Sequence, residues 1–189
     1  MININKSPLQ LETNLLRAWL LLPALALLLN SPASQAQNSP QPPAAAAAIP
    51  TVPANFDALA TQALAAMKQR AEELKIQGVA VVAYAPGDAV QSWSSKMLVV
   101  GSLKSAPSSP NAKGNNLLGI AYSKAAEMAD TLKNSGTSGR APLTGEYGWE
   151  GGVVAKGKAG FLIVAFSGGA SAQDVQVSRA GLAILAAQF

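Results

Sequence analysis

Residues 151–174 have the sequence GGVVAKGKAGFLIVAFSGGASAQD, and this stretch decides the fold. Val153 and Val154 precede a turn at residues 156–158, and residues 161–166 form an apolar run with the length and composition of a buried strand. Because only a tight turn separates the two apolar segments, they are expected to pair as an antiparallel hairpin. The stretch therefore predicts two neighbouring strands.

The Ser-Gly-Gly turn at residues 167–169 ends the second strand and leads into a helix. Ser171, with Asp174 three residues later, is typical of a helix start, since the Ser oxygen accepts a backbone N–H and the acid lies near the positive end of the helix dipole. Such a turn can also bind an anion, because free N–H groups converge there. The sequence favours a plain capped turn and leaves an anion site open.

Outward from this stretch, a second pair of strands and two more helices are expected. Apolar residues recur at helical spacing from the N-cap Asn55 to Leu74, which predicts an amphipathic helix ending near Gly78. Residues 79–85 form an apolar strand, followed by a Pro-Gly-Asp turn and a return strand that ends near residue 101.

The middle helix is expected to begin at Asn115 or Asn116 and to end near Gly136. The last helix has a predicted buried face made of Val175, Leu182, Leu185 and Phe189. The element order α-β-β-α-β-β-α, with two hairpins, predicts an α+β domain in which helices pack on a small, mainly antiparallel sheet.

The first 36 residues have the features of a secretory signal peptide. Lys6 and Arg17 precede a short apolar run at residues 18–29, and small residues lead to a predicted cleavage site after Ala36. An uncleaved anchor is the alternative, but about twenty apolar residues are needed to span a bilayer. We therefore expect a periplasmic or secreted protein without a membrane span in its mature form.

Residues 37–54 are rich in Pro and Ala, which predicts a disordered tether, and residues 55–189 then form a single domain. The net charge of +4 is mild, and the cations are not interleaved with aromatic residues. The sequence therefore does not predict nucleic-acid binding.

The residue inventory limits the chemistry, because the chain contains neither His nor Cys. This excludes imidazole acid–base catalysis, cysteine nucleophiles, the Ser-His-Asp arrangement, ordinary zinc sites and disulfides. A binding protein is therefore favoured over an enzyme. The remaining enzyme hypothesis would use Glu146, Glu150 and Lys124.

A glycine-rich segment covers residues 135–152 and carries Tyr147 and Trp149, which is typical of a functional loop. Glu146 and Glu150 are either a carboxylate pair that acts together or, as the sequence favours, two solvated loop acids. Lys124, on the middle helix, is either a ligand for an anionic group or, as favoured, an ordinary snorkelling lysine.

Several segments resemble the GlcG/HbpS family, which is also called the haem-degrading domain or haem-binding protein family. They are EGGVV at residues 150–154, GFLIVAFSGGASAQD at residues 160–174 and RAGLA at residues 179–183. A looser match covers residues 63–84 and AYSKAA at residues 121–126, so the resemblance extends over most of residues 56–189.

This resemblance implies a profilin-like or PAS-like α+β domain, homo-oligomers, and a small ligand that is haem in some members. Carried over with it are Lys124, Gly151, Gly152, the Ser167–Gly169 turn and Asp174. The residues themselves add Tyr147 and Trp149, on the glycine-rich loop, as a second wall of the expected site opposite that turn. The predicted ligand-binding residues are therefore Lys124, Tyr147, Trp149, Glu150, Gly151, Gly152, Ser167, Gly168, Gly169 and Asp174.

Two departures from the family concern the ligand. Without His, the groups that remain as axial ligands to a haem iron are a hydroxyl or the side chains of six Tyr and Met residues: Tyr84, Tyr122, Tyr147, Met67, Met97 and Met128. The loop at residues 104–116, beside the presumed pocket, is longer and more polar than the usual family link, which suggests a changed ligand.

The sequence thus supports two functional hypotheses. The first is an exported, non-catalytic binding protein for haem or a similarly flat, anionic and apolar ligand, held between the aromatic loop and the turn at Ser167. The second is an oligomeric structural or accessory module of a periplasmic system, without a small ligand. Its small-residue helices, at residues 58–71 and 180–187, would suit close packing between subunits.

Overall fold

A computed structural model describes residues 51–189, so the predicted signal peptide and most of the predicted tether lie outside the described residues. The seven elements follow in the predicted order and confirm an α+β fold. They are α1 (Phe56–Glu73), β1 (Gly78–Pro86), β2 (Ser94–Val100), α2 (Leu117–Thr131), β3 (Gly152–Lys156), β4 (Gly160–Ser167) and α3 (Ser171–Ala186).

The four strands form one antiparallel sheet in the order β2-β1-β4-β3. The two predicted hairpins lie side by side and join through β1 and β4, where Val82 is paired with Val164. Every residue of β1 and β4 is buried, which explains why both are apolar along their whole length. The shorter β3 and the half-buried β2 form the sheet edges.

Helices cover both faces of the sheet. On one face, α1 and α3 pack on each other and on strand residues such as Tyr84 and Phe166. On the other face, α2 packs on Val79, Val81 and Ile163. Because strand side chains alternate between faces, a continuous apolar strand is what a sheet between two helix layers requires.

Three local predictions differ from the structure. The helix α1 ends at Glu73, five residues before the expected end near Gly78, because Lys75 has a φ of 57° and Gly78 already begins β1. The helix α2 ends at Thr131, where Leu132 adopts a left-handed conformation, so its end near Gly136 was also placed too late.

The start of α3 also differs from the prediction, since Ser171 is the first helical residue and Ala170 is the N-cap. The backbone N–H of Ala170 donates to Oε1 of Gln173, at 3.0 Å, and no side chain caps the helix from the N-cap position. By contrast, Asn116 caps α2 as expected, its Oδ1 accepting from the N–H of Gly119 at 3.0 Å.

Within residues 51–189, no helix combines the length and the apolar character needed to cross a membrane. Small residues of α1 and α3, including Ala60, Ala63 and Gly181, are buried where these helices pack within the chain. They are therefore used inside the protomer. The expected homo-oligomer stays a prediction.

Candidate ligand-binding site

Lys124 projects from α2 and is almost completely buried, with 3% of its surface exposed. Its Nζ donates to the carbonyl oxygen of Phe166 at 2.9 Å and to Oδ2 of Asp174 at 2.8 Å. Because α2 and α3 lie on opposite faces of the sheet, this ion pair joins the two helix layers at the end of β4. The interpretation of Lys124 as a snorkelling surface lysine was wrong.

The carboxylate of Asp174 accepts a hydrogen bond from the glycine turn. Its second oxygen, Oδ1, accepts from the N–H of Gly169 at 2.8 Å. Burial raises the pKa of Asp174, while the nearby Lys124 and the N–H of Gly169 act in the opposite direction. The turn at residues 167–169 therefore holds an anion supplied by the chain itself, which accounts for the anion-binding pattern in the sequence.

The glycines before β3 allow the chain to pass close to this ion pair. Gly151 has a φ of 140°, and a Cβ atom at this position would collide with Nζ of Lys124. The Oγ of Ser178 donates to the carbonyl of Gly151 at 2.6 Å, and the N–H of Gly152 donates to Oγ of Ser135 at 2.8 Å. The residues that carry the family resemblance thus form a satisfied polar cluster.

Arg140 organises the glycine-rich loop. Its guanidinium contacts both carboxylate oxygens of Glu146, at 2.7 and 2.8 Å, and Oδ2 of Asp130 at 2.8 Å. The Arg140 hydrogen bonds and the N–H of Leu143 lower the pKa of Glu146 from 4.5 to about 2. The expectation of two solvated loop acids is therefore wrong for Glu146, whereas Glu150 is exposed.

Tyr147 and Trp149 contact each other on the outside of this loop. Their ring centroids lie 4.9 Å apart at 42°, and they are 49% and 47% exposed. Trp149 also lines a small cavity of about 110 Å³. Tyr147, Glu150, Gly151 and Gly152 are not among the residues that line it.

The small cavity lies where the sequence predicted the ligand. Predicted site residues that line it, besides Trp149, are Lys124, Ser167, Gly168, Gly169 and Asp174. Drug-sized ligands occupy pockets of about 300–1,000 Å³. A cavity of about 110 Å³ is therefore too small to hold a haem-sized molecule by itself.

A much larger cleft, of about 1290 Å³, adjoins this cavity. We call it the lysine cleft. The two share the lining residues Ser105, Asn115, Leu117 and Gly168. The walls of the lysine cleft are the turn after α1 at residues 75–77, two parts of the β2–α2 loop at 102–107 and 114–116, and the start of α2 at 117–118.

The lining of the lysine cleft combines cations with apolar surface. Lys75 and Lys104 lie on different walls, and the lining includes no carboxylate. Its apolar members include Ile76, Leu117 and the exposed Leu103. Neither lysine was predicted from the sequence as a site residue, although the unusual loop at residues 104–116 was a signal that the pocket had changed.

The described residues fit part of what haem requires. Apolar side chains suit the faces of a porphyrin ring, and the lysines suit its carboxylates. The six Tyr and Met side chains considered for the iron do not line either cavity. Within residues 51–189, no three His, Cys, Asp or Glu side chains form a metal cluster.

No family model and no curated protein matches this sequence. A solved PduOC–haem complex is similar in structure, with a TM-score of 0.46 and 16% identity, over 71% of this chain and 94% of that chain.

The Klebsiella pneumoniae protein ORFY, which has the family model DUF336, has a TM-score of 0.48 and 16% identity, over 70% of this chain and 90% of its own. The haem named for the first structure belongs to that protein.

Proposed function

We propose that this protein is a non-catalytic binding protein for a flat, apolar and anionic small molecule of the haem type, held in the lysine cleft. The observation that carries the proposal is the pairing of two lysines with apolar walls in a cleft of about 1290 Å³ whose lining includes no carboxylate. Ligand sites are mostly apolar, with a few polar groups that fix orientation. The lysine cleft has this composition.

The charge of the cleft selects for anions. Lys75 follows α1, and Lys104 lies beside the isolated bridge that it forms with Asn116. Both lysines are exposed and line the cleft, so their ammonium groups are available to pair with the carboxylates of a ligand. A ligand with an apolar body and carboxylates at one edge satisfies both parts of this lining.

The polar cluster around Lys124 stabilises the turn that borders the site. Its amine and the carboxylate of Asp174 satisfy each other and fix the turn at residues 167–169. Since Gly168 lines both the small cavity and the lysine cleft, this turn sets the shape of their junction. The Lys124–Asp174 pair and the turn at residues 167–169 therefore position the pocket and do not supply a reacting group.

A haemin titration of the purified protein tests this function. We expect a shifted Soret band that saturates at one equivalent of haemin, because the porphyrin leaves water for an apolar cleft. The double variant K75E/K104E should weaken binding by at least about tenfold, which corresponds to about 1.4 kcal/mol.

The matched control is K158E/R179E, which makes the same change in net charge at two exposed cations outside the cleft lining. It should bind as the wild type does. The absence of a shifted band at stoichiometric haemin would remove the proposed function.

We further propose that residues 1–36 direct export and are cleaved after Ala36, so that the mature protein acts in the periplasm or outside the cell. The support is the basic start, the short apolar run and the small residues before the cut. N-terminal sequencing of the exported protein should give Gln37 as the first residue. Recovery of a chain that retains the apolar segment in the membrane fraction would contradict export by cleavage.

A further inference from the structure

We propose that the lysine cleft recognises its ligand through two carboxylates and an apolar face, independently of a metal. A metal-free tetrapyrrole dicarboxylate should then bind as tightly as haemin. This inference rests on the proposed function and specifies the class of ligand. It follows from the two lysines of the cleft and from the positions of the Tyr and Met side chains that could coordinate iron.

The charge of the site matches a dianion. Three lysines line the two adjoining cavities: Lys75, Lys104 and Lys124. Nζ of Lys124 lies 2.8 Å from Oδ2 of Asp174 and is buried with it, so this pair contributes no net charge to a ligand. Lys75 and Lys104 remain, without a carboxylate among the residues of the lysine cleft. Two cations are balanced by two ligand carboxylates.

The side chains that could coordinate iron have other places in the fold. Tyr84, Met67 and Met128 are buried in the core, at 1% exposure or less. The hydroxyl of Tyr122 lies 3.3 Å from Oγ of Ser95, and Met97 packs against the core formed by α2 and the sheet. Tyr147 packs against Trp149 and lines neither cavity. The polar side chains that line the lysine cleft are serine hydroxyls, amides and lysine ammonium groups, which are weak ligands or non-ligands for iron. Recognition in the lysine cleft therefore uses the parts of a porphyrin that do not depend on its metal.

Trp149 provides a readout that does not require iron. Its ring lines the small cavity that adjoins the lysine cleft, so a porphyrin bound nearby should quench its fluorescence. Trp93 lies on a different surface, beside residues 126–130. Since a porphyrin can also quench Trp93 by energy transfer, the signal is assigned to this site by its loss in K75E/K104E, which lacks the two cleft lysines.

The experiment compares haemin, protoporphyrin IX and the dimethyl ester of protoporphyrin IX by quenching of the wild-type protein. Haemin and protoporphyrin IX are expected to have dissociation constants within about threefold of each other. The ester should bind at least about tenfold more weakly, because both charges that pair with the lysines are lost. The variant K75E/K104E should weaken both acids by at least about tenfold and remove the advantage of the acid over the ester.

The outcomes separate this inference from the proposed function. Binding of haemin at least about tenfold tighter than protoporphyrin IX would show recognition of the metal and overturn the inference alone. Equal binding of acid and ester would overturn the role of the carboxylates. Binding of none of the three compounds would overturn the proposed function and the inference together.

Discussion

The ammonium group of Lys124 is buried with the carboxylate of Asp174 as its counterion. Removing water from two charges is costly, and their attraction offsets this cost only when the geometry is good and the remaining polar atoms are satisfied. Here the Phe166 carbonyl and the Gly169 N–H supply those additional hydrogen bonds. Each charge therefore depends strongly on the other.

A double-mutant cycle tests this dependence. K124M leaves Asp174 buried without its cation, and D174L leaves Lys124 buried without its anion, so each should lower the free energy of unfolding by about 3–5 kcal/mol. The double variant K124M/D174L should recover most of this loss, because neither charge remains. Urea unfolding followed by circular dichroism measures all four proteins. Single variants within about 1 kcal/mol of the wild type would contradict the coupling.

The glycine-rich loop is also stabilised by an ion pair, between Arg140 and Glu146. This pair is lost when Glu146 is protonated at acid pH. The pKa of Glu146 falls from 4.5 to about 2 in the folded protein, chiefly through hydrogen bonds from Arg140. The unfolded chain therefore binds a proton to Glu146 more readily than the folded chain does. The stabilisation is complete above about pH 4.5 and is lost as the pH falls towards about 2.

Melting temperatures across this pH range test the loop. E146Q should melt below the wild type at neutral pH, and the difference should shrink as the pH falls from about 5 to 2. The exposed Glu150 gives the control, and E150Q should melt close to the wild type throughout. A wild type and an E146Q variant separated by a constant interval at every pH would contradict this role of Glu146.

The helices and strands were predicted well from the sequence because turns and helix caps are determined by residues close together in the chain. The turn at residues 156–158 and the cap at Asn116 each depend on a few neighbouring residues, and both are present in the structure. The early end of α1 was missed because Gly78 is needed in β1, where a Cβ would collide with the carbonyl of Ser167. That constraint comes from a residue almost ninety positions away.

The candidate site was harder to predict than the elements. The family resemblance indicated Lys124 and Asp174, but only the packing of helices on both faces of the sheet shows that they pair with each other. Lys75 and Lys104 have no distinctive local pattern, and they meet at one cleft because the turn after α1 lies beside the β2–α2 loop. The sequence identified the loop at residues 104–116 as unusual without showing what it borders.

At the scale of the whole domain, the residues that stabilise the end of the sheet differ from the residues that line the proposed ligand site. The polar cluster of Lys124, Asp174 and Gly151 fixes one end of the sheet, while the lysine cleft lies beside it on the β2–α2 loop. The proposed position of the ligand is the cleft, and the alternative position is the exposed pair Tyr147–Trp149. The two locations involve different segments of the chain, so they can be distinguished by experiment.

Amide hydrogen exchange with and without saturating haemin tests this location most directly. Ligand in the lysine cleft should slow exchange in residues 75–77, 102–107 and 114–118, and leave the turn at residues 86–93 unchanged. The measurement is made on the wild type and on K75E/K104E, in which the protection should disappear at the same haemin concentration. Protection confined to residues 143–149, or no protection of the cleft segments at saturation, would contradict the account.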